Sequence, residues 1–334
     1  VSTEPSPHAR RRHAWAAREL VVLGTAAQSP TPARNHNAYA LRWGRELVLF
    51  DPGEGAQRQL ASAGIPVSQL TRICITHAHG DHCLGLAGVL QRRSLDPVPA
   101  PIDLFVPSSM TGHVEAMLSS TAWDRDMLDL RVHALGGGAV VDLVDGMTLR
   151  ALPLDHTIDT LGWRIESAPA HHLLPERLAA LGIVGEDIGR FRREGVLMLP
   201  DGAVRVGEVS VVEPGPAFAF VMDTRPCEAA VELARGADLL VVESTYLDAE
   251  AALAAAHGHC TARQAATIAF EAGAHRLVLS HYSERHPHEE PFAEEAREVF
   301  ADVTAARDFD VIRAPGTVDA KQRPQGPEPA GPRV

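Results

Sequence analysis

Short apolar, β-branched runs recur along the chain, at 21–23, 47–50, 73–76, 102–106, 139–143, 218–222, 239–242 and 277–280. Most are bounded by Gly, Pro, Asp or Asn, and such runs predict strands. Between many of them apolar residues return at helical spacing, at 54–63, 226–235, 262–272 and 289–300. Pro226 suits a first helical position and Thr261 suits an N-cap. Strands covered by helices predict a layered α/β domain. Residues 171–210, from His171-His172 to Gly207-Glu208, break the pattern. That stretch is rich in charge and turn residues and reads as an inserted, protruding arm rather than as sheet. No repeat recurs at a fixed period.

The ends read differently from the middle. Residues 1–18 carry Arg10-Arg11-Arg12 and read as a mobile basic extension, with the first strand at 20–24. Arg18 and Glu19 interrupt the apolar run that a secretory segment would need. Residues 314–334, rich in Pro and Gly, read as a disordered tail, leaving 19–313 as the folded domain. With 45% hydrophobic residues among 334, a mostly disordered chain is excluded. The net charge of −12 means that a nucleic-acid partner requires a local basic patch. Aromatic residues make up only 5%, so base-stacking platforms are not expected to carry the chemistry. Cys74, Cys83, Cys227 and Cys260 show no CxxC spacing, which predicts reduced thiols and a cytoplasmic protein. No apolar run is long enough to span a membrane.

The chemistry concentrates in one place. The run 73–76 leads directly into His77-Ala78-His79-Gly80-Asp81-His82. Along extended backbone His77 and His79 point the same way. Gly80 permits a sharp turn, and Asp81 and His82 fall at the start of a helix from Cys83 onward. Four ligand-type groups within one loop can supply two neighbouring ions, and imidazole with carboxylate suits Zn²⁺, with Mn²⁺ or Fe as rivals.

HxHxDH resembles the signature of the metallo-β-lactamase superfamily, which implies an αββα sandwich with a dinuclear metal site along one edge. The resemblance implies further ligands at later strand ends. His156, in Leu154-Asp155-His156-Thr157, fits the next; Asp223, in Val221-Met222-Asp223-Thr224, fits the bridging carboxylate; His281, in Leu279-Ser280-His281-Tyr282, fits the last. His171 and His172 compete with His156 but lie in the arm. Four segments narrow the resemblance to the ribonuclease Z family of tRNA 3′-processing endonucleases. Phe50-Asp51-Pro52-Gly53-Glu54-Gly55-Ala56-Gln57 resembles its FDCGEGTQ segment, and Pro30-Thr31-Pro32-Ala33-Arg34-Asn35 its PxKxRN loop, which contacts phosphate. Glu243-Ser244-Thr245-Tyr246 resembles its HEAT-type segment and His259-Cys260-Thr261 its HST segment. The likeness runs from about residue 19 to residue 313. Pro32, Val242, Cys260 and Glu186 depart from the family pattern, and none of them is a candidate ligand.

The resemblance implies two Zn²⁺ per subunit, one on His77, His79 and His156, the other on Asp81, His82 and His281, with Asp223 bridging. It implies hydrolysis of precursor tRNA by a homodimer. Asp81 would act on the attacking water, and His259, positioned by Glu243, would protonate the leaving oxygen. Arg34, Asn35 and Arg285 are candidate RNA contacts, as are Arg190, Arg192 and Arg193 in the arm. Two other classes stay open: a small-molecule esterase, lactonase or phosphodiesterase on the same fold, and a metal-stabilised RNA-binding protein without activity.

Overall fold

The strand Arg18–Gly24 shows why the apolar runs are continuous rather than alternating. Leu20 and Val22 face one buried layer while Val21 and Leu23 face another, so both faces of the strand are covered. The computed structural model describes residues 18–96, 98, 100–200 and 202–315. The expected extension and tail, apart from Arg18, Ala314 and Pro315, lie outside the described residues.

Six strands open the chain: β1 (Arg18–Gly24), β2 (Ala38–Trp43), β3 (Glu46–Phe50), β4 (Arg72–Cys74), β5 (Ile102–Pro107) and β6 (Leu130–Leu135). Next come β7 (Val140–Asp142), β8 (Thr148–Pro153) and β9 (Leu161–Glu166). The arm holds β10 (Ala170–Leu173), β11 (Val196–Leu199), β12 (Gly202–Arg205) and β13 (Ser210–Glu213). The remainder are β14 (Ala217–Val221), β15 (Leu239–Glu243), β16 (Leu277–Ser280), β17 (Val303–Ala305) and β18 (Val311–Arg313).

They build two seven-stranded sheets, ordered β18-β1-β2-β3-β4-β5-β6 and β17-β16-β15-β14-β9-β8-β7. The two share a pairing pattern. Starting from β18 in one and β7 in the other, three antiparallel pairs precede three parallel pairs. The repetition is one of topology, without a fixed sequence period.

Large side chains from both sheets meet in the layer between them, among them Tyr39, Trp43, Phe50, Trp163, Phe218 and Phe220. Phe50 and Phe220 approach to 4.8 Å between ring centroids. Each such ring, fully withdrawn from water, stabilises the sandwich by about 2 kcal/mol. Helices cover the outer faces. Leu60, Leu86, Leu90 and Val114 pack on the first sheet, and Leu233, Ala265, Ile268 and Phe292 on the second. The helix Ala262–Ala272 matches the expected bounds, with Thr261 and Gln264 forming a reciprocal cap. Pro226 does not open its helix, which runs Glu228–Ala234 behind an extended Cys227.

The arm is more ordered than its composition suggested. Its stalk is an antiparallel ribbon in which Ala170 pairs with Glu213 and Leu173 with Ser210. Beyond it lie a hairpin of β11 and β12 and the helices Pro175–Ala180 and Glu186–Glu194. Leu178, Ile183, Phe191, Leu197 and Val209 give the arm a small core of its own. The expectation of an arm without sheet is therefore corrected. These strands are short and mostly exposed, so their sequence lacks the apolar runs that marked the others.

Candidate metal centre and active site

The parallel strands of both sheets end at the same edge, where side chains from separate segments converge. β4 delivers His77 and His79, and the short helix Gly80–Cys83 delivers Asp81 and His82. The β8–β9 loop brings His156, β14 brings Asp223 and β16 brings His281. Asp51, Asp223 and His281 each follow a strand with φ of 43°, 48° and 63°, the left-handed region that non-glycine residues seldom occupy. Such backbone persists only where the surroundings hold it, and it gathers at functional sites.

Gly80 plays a different part from the one expected. It is the first residue of that short helix and lies outside the left-handed region. The tight fit is elsewhere. A Cβ on Gly53 would lie 2.2 Å from the Asp81 carbonyl oxygen, and one on Gly85 would lie 2.1 Å from that of Gly53. Those two glycines let the 51–55 segment sit directly against the histidine loop.

Three overlapping groups of side chains among the described residues could each hold a cation: His77, His79, His156 and Asp223; Asp81, His82 and His281; and Asp223, His259 and His281. In the first, His77 Nε2 lies 2.9 Å from His79 Nδ1 and 3.6 Å from Asp223 Oδ2, and His156 Nε2 lies 3.7 Å from the same oxygen. In the second, Asp81 Oδ2 is 3.3 Å from His82 Nε2 and 3.6 Å from His281 Nε2. Asp223 reaches both, with Oδ2 3.4 Å from His82 Nε2 and Oδ1 3.2 Å from His281 Nε2.

The donor set fits divalent ions. Asp223 Oδ1 and His281 Nε2 are buried yet satisfy no hydrogen bond, although they lie 3.2 Å apart. Burying such atoms is costly unless something completes their coordination. Burial also holds the His77, His79 and His156 imidazoles below their ordinary pKa, in the neutral form that binds metal. His82 goes the other way. Burial disfavours its charge, but the Asp223 and Asp81 carboxylates overcome that and raise it well above the ordinary value.

The back sides of the rings are anchored too, which fixes which nitrogen faces the site. The Asp51 carboxylate accepts from His82 Nδ1 at 2.9 Å and from Thr76 Oγ1 at 2.8 Å, and Thr76 Oγ1 meets His77 Nδ1 at 2.9 Å. The Gly258 carbonyl accepts from His156 Nδ1 at 2.8 Å. Glu243, fully buried, takes five donors. Oε1 accepts from His259 Nδ1 and the Thr224 and Cys260 amides at 3.0 Å, and Oε2 from the Thr245 amide and hydroxyl at 3.0 and 2.7 Å. Thr245 Oγ1 meets His281 Nδ1 at 2.7 Å. Burial alone would lower the His259 imidazole, but the charge and hydrogen bond of Glu243 lift it to about 9. Burial would raise Glu243, and the His259 charge holds it below the ordinary carboxylate range instead.

These groups open onto a cleft of about 610 Å³ whose walls include His79, His156, Asp223, His259, His281 and Arg285. Relatives share nearly the whole chain. Residues 31–148 match the metallo-beta-lactamase superfamily model and residues 206–282 the beta-lactamase superfamily domain model. The ribonuclease Z of Nocardia farcinica is 48% identical over 300 residues, spanning 89% of this chain and 98% of that protein. The ribonuclease Z of Streptomyces coelicolor is 47% identical, with the same coverage of both. The chain belongs to the ribonuclease Z family. The solved short form of human tRNase Z superposes with a TM-score of 0.62 at 28% identity, covering 89% of this chain and 99% of that one.

In this ribonuclease Z family member, the expected RNA contact Arg34 is buried, and half-exposed Asn35 is tied to neighbouring backbone. The Arg34 side chain is 3% exposed, pairs with Glu289 at 2.7 Å, donates to the His286 carbonyl at 2.7 Å and lies over the Tyr282 ring. Asn35 donates its side-chain amide to the Glu54 carbonyl at 2.8 Å and to that of His36 at 3.2 Å. Both side chains brace the loop. Arg285 is exposed on the cleft rim. Arg190, Arg192 and Arg193 are exposed on the arm helix, Arg190 paired with Asp187 at 3.0 Å. Sequence reading missed Asp51, Thr76, Thr245 and the Gly258 carbonyl as supports of the histidines. Asp51 directly follows the run 47–50 inside a segment that resembles the family's, and Thr76 closes the run 73–76.

Proposed function

We propose that this chain is a metal-dependent endoribonuclease that removes the 3′ trailer from precursor tRNA. What carries the reading is one combination. Ligand-type side chains from both sheets and the Glu243–His259 pair meet in one open cleft, in a chain whose relatives are named ribonuclease Z.

His77, His79 and His156 would hold one divalent ion and Asp81, His82 and His281 the other, with Asp223 shared. Zn²⁺ suits these nitrogen and oxygen donors best, and Mn²⁺ or Fe would also fit. Two such ions, when bound, supply Lewis-acid polarisation of the phosphoryl group and a water of lowered pKa. Asp81 orients the attacking water and takes its proton. The water oxygen bonds to phosphorus as the bond from phosphorus to O3′ breaks. His259, held protonated by Glu243, gives the proton from its other ring nitrogen to O3′. The tRNA leaves with a 3′-hydroxyl, and the phosphate stays on the trailer.

RNA binding would fall to Arg285 at the rim and to Arg190, Arg192 and Arg193 on the arm. Five arginines face six carboxylates between 171 and 210, and three of the five, Arg190, Arg192 and Arg193, lie within four positions on the helix Glu186–Glu194. A homodimer would let that arm serve the neighbouring cleft. No helix among the described residues is long and apolar enough to cross a membrane, and we place the enzyme in the cytoplasm with its substrate.

A side-by-side assay on a defined precursor tRNA and a small chromogenic ester tests the reading. Cleavage of the precursor with the ester untouched supports it. Ester hydrolysis with the precursor intact would make the protein a small-molecule hydrolase.

A further inference from the structure

Beneath the candidate metal centre, one phenol hydroxyl ties the two sheets together. Tyr39 lies on β2 of the first sheet and is fully buried. Its hydroxyl donates to Asn37 Oδ1 at 2.6 Å and meets Ser280 Oγ, on β16 of the second sheet, at 2.7 Å. A hydroxyl has one proton to give, so with Asn37 as its acceptor it must accept from Ser280. Asn37 and Ser280 are themselves fully buried.

Both partners adjoin the second group of candidate ligands. Ser280 directly precedes His281. The Asn37 amide nitrogen lies 3.5 Å from His82 Nε2, and the bond from Tyr39 keeps the Asn37 oxygen turned away from that ring. His82 and His281 follow strands of different sheets, and their ring centroids lie 5.2 Å apart. The first group has other supports. His77 leans on Thr76 and His156 on the Gly258 carbonyl, and neither bond involves Tyr39, Asn37 or Ser280.

We propose that Tyr39 is a positioning residue for one of the two ions, the one on Asp81, His82 and His281. Its hydroxyl sets the spacing of the strand ends that carry His82 and His281. This rests on the two-metal reading above. Tyr39 touches no ligand itself and acts through Asn37 and Ser280, so the roughly 10–100-fold that a direct hydrogen-bond partner of a ligand governs is the ceiling of its effect, which falls on one site and not the other.

Tyr39→Phe is the direct test. It removes the hydroxyl and keeps the ring, whose edge-on contact with Phe220 at 5.1 Å continues to support β14 and Asp223. The metal-free protein is titrated with Zn²⁺ by calorimetry against a competing chelator. Wild type takes up two ions. Tyr39→Phe binds the first with unchanged affinity and the second more weakly, by at most about 10–100-fold. Ser280→Ala shifts the same ion less and leaves no large cavity. Trp43→Phe on the same strand, which loses a bond to Ser167 and part of the packing against Arg18 and Phe218, keeps both affinities whatever it costs in stability. In a His281→Ala background the one remaining ion binds equally well with Tyr39 or Phe. Equal weakening of both ions, or no weakening of either, overturns the role of Tyr39. Failure of wild type to bind two ions overturns the metal reading itself.

Discussion

Asp51 and Glu243 are counterparts across the two sheets. Each is a fully buried carboxylate that holds one histidine ring directly and a second through a threonine hydroxyl. Asp51 serves His82 and His77, both candidate ligands. Glu243 serves His281, a candidate ligand, and His259, which belongs to neither four-residue nor three-residue ligand group but to a third with Asp223 and His281. The same device is thus put to different uses on the two sides of the cleft.

That difference predicts divergent variants. Asp51→Asn turns an amide toward a ring nitrogen that needs an acceptor, so metal affinity should fall about 10–100-fold. Glu243→Gln should lose mainly turnover, with metal content closer to that of wild type. Elemental analysis after passage through a desalting column, set beside initial rates, measures both. Equal metal loss in the two variants would contradict the division of labour.

His259→Ala should retain two ions per chain and lower kcat by about 10²–10⁴-fold, the usual contribution of a general acid. The acid works in its protonated form, so the wild-type rate should fall as pH rises through the His259 pKa. Glu243 is what lifts that pKa, and Glu243→Gln should move the fall to lower pH. A pH–rate series on both proteins checks the direction. Loss of an ion in His259→Ala would make His259 a ligand.

Arg34→Ala should destabilise the fold by about 2 kcal/mol, the scale of a lost charge-assisted hydrogen bond, because Glu289 keeps Arg307 at 3.2 Å as its second partner. The dependence of precursor binding on salt should stay as in wild type, since Arg34 is buried. Glu289 gives this pair a pH signature. Burial opposes its ionisation, but Arg34 holds the carboxyl below the ordinary range. Its contribution to stability is therefore complete above the ordinary glutamate pKa and fades as pH falls through the lowered folded value. Thermal melts across that acid range should show a shallower decline in Glu289→Gln than in wild type. A reduced salt slope in Arg34→Ala would restore Arg34 as a phosphate contact.

Replacing the arm between Leu173 and Ser210 with a short turn should be tolerated by the sandwich, because the arm packs on its own small core. Precursor cleavage should weaken at least about tenfold at moderate salt, with the deficit shrinking as salt rises. Hydrolysis of a small chromogenic phosphodiester should be nearly unchanged. Equal losses on both substrates would mean that the arm supports the fold instead.

Much of this architecture is legible in the chain itself, and the rest is hidden for identifiable reasons. Strand ends such as 73–76 and 277–280 are buried on both faces and stand out as apolar runs directly before His77 and His281. β2, β8 and β9 were missed because Arg42, Arg150 and Arg164 interrupt their apolar character. Asp51 and Thr76 act only because β3 and β4 pair in parallel and bring their ends together, which no local pattern encodes. Arg34 was read as a phosphate contact from the likeness of its loop to PxKxRN, and no local pattern marks its partner Glu289, 255 residues away.

The most direct test of the account is the chemistry of the cut ends. A precursor tRNA of defined sequence is incubated with protein stripped of metal and then reloaded with Zn²⁺ or Mn²⁺. The account predicts no cleavage before reloading. After it, one cut should yield a tRNA ending in a 3′-hydroxyl and a trailer beginning with a 5′-phosphate. A 5′-hydroxyl on the trailer, or an intact precursor beside protein holding two ions, would contradict it.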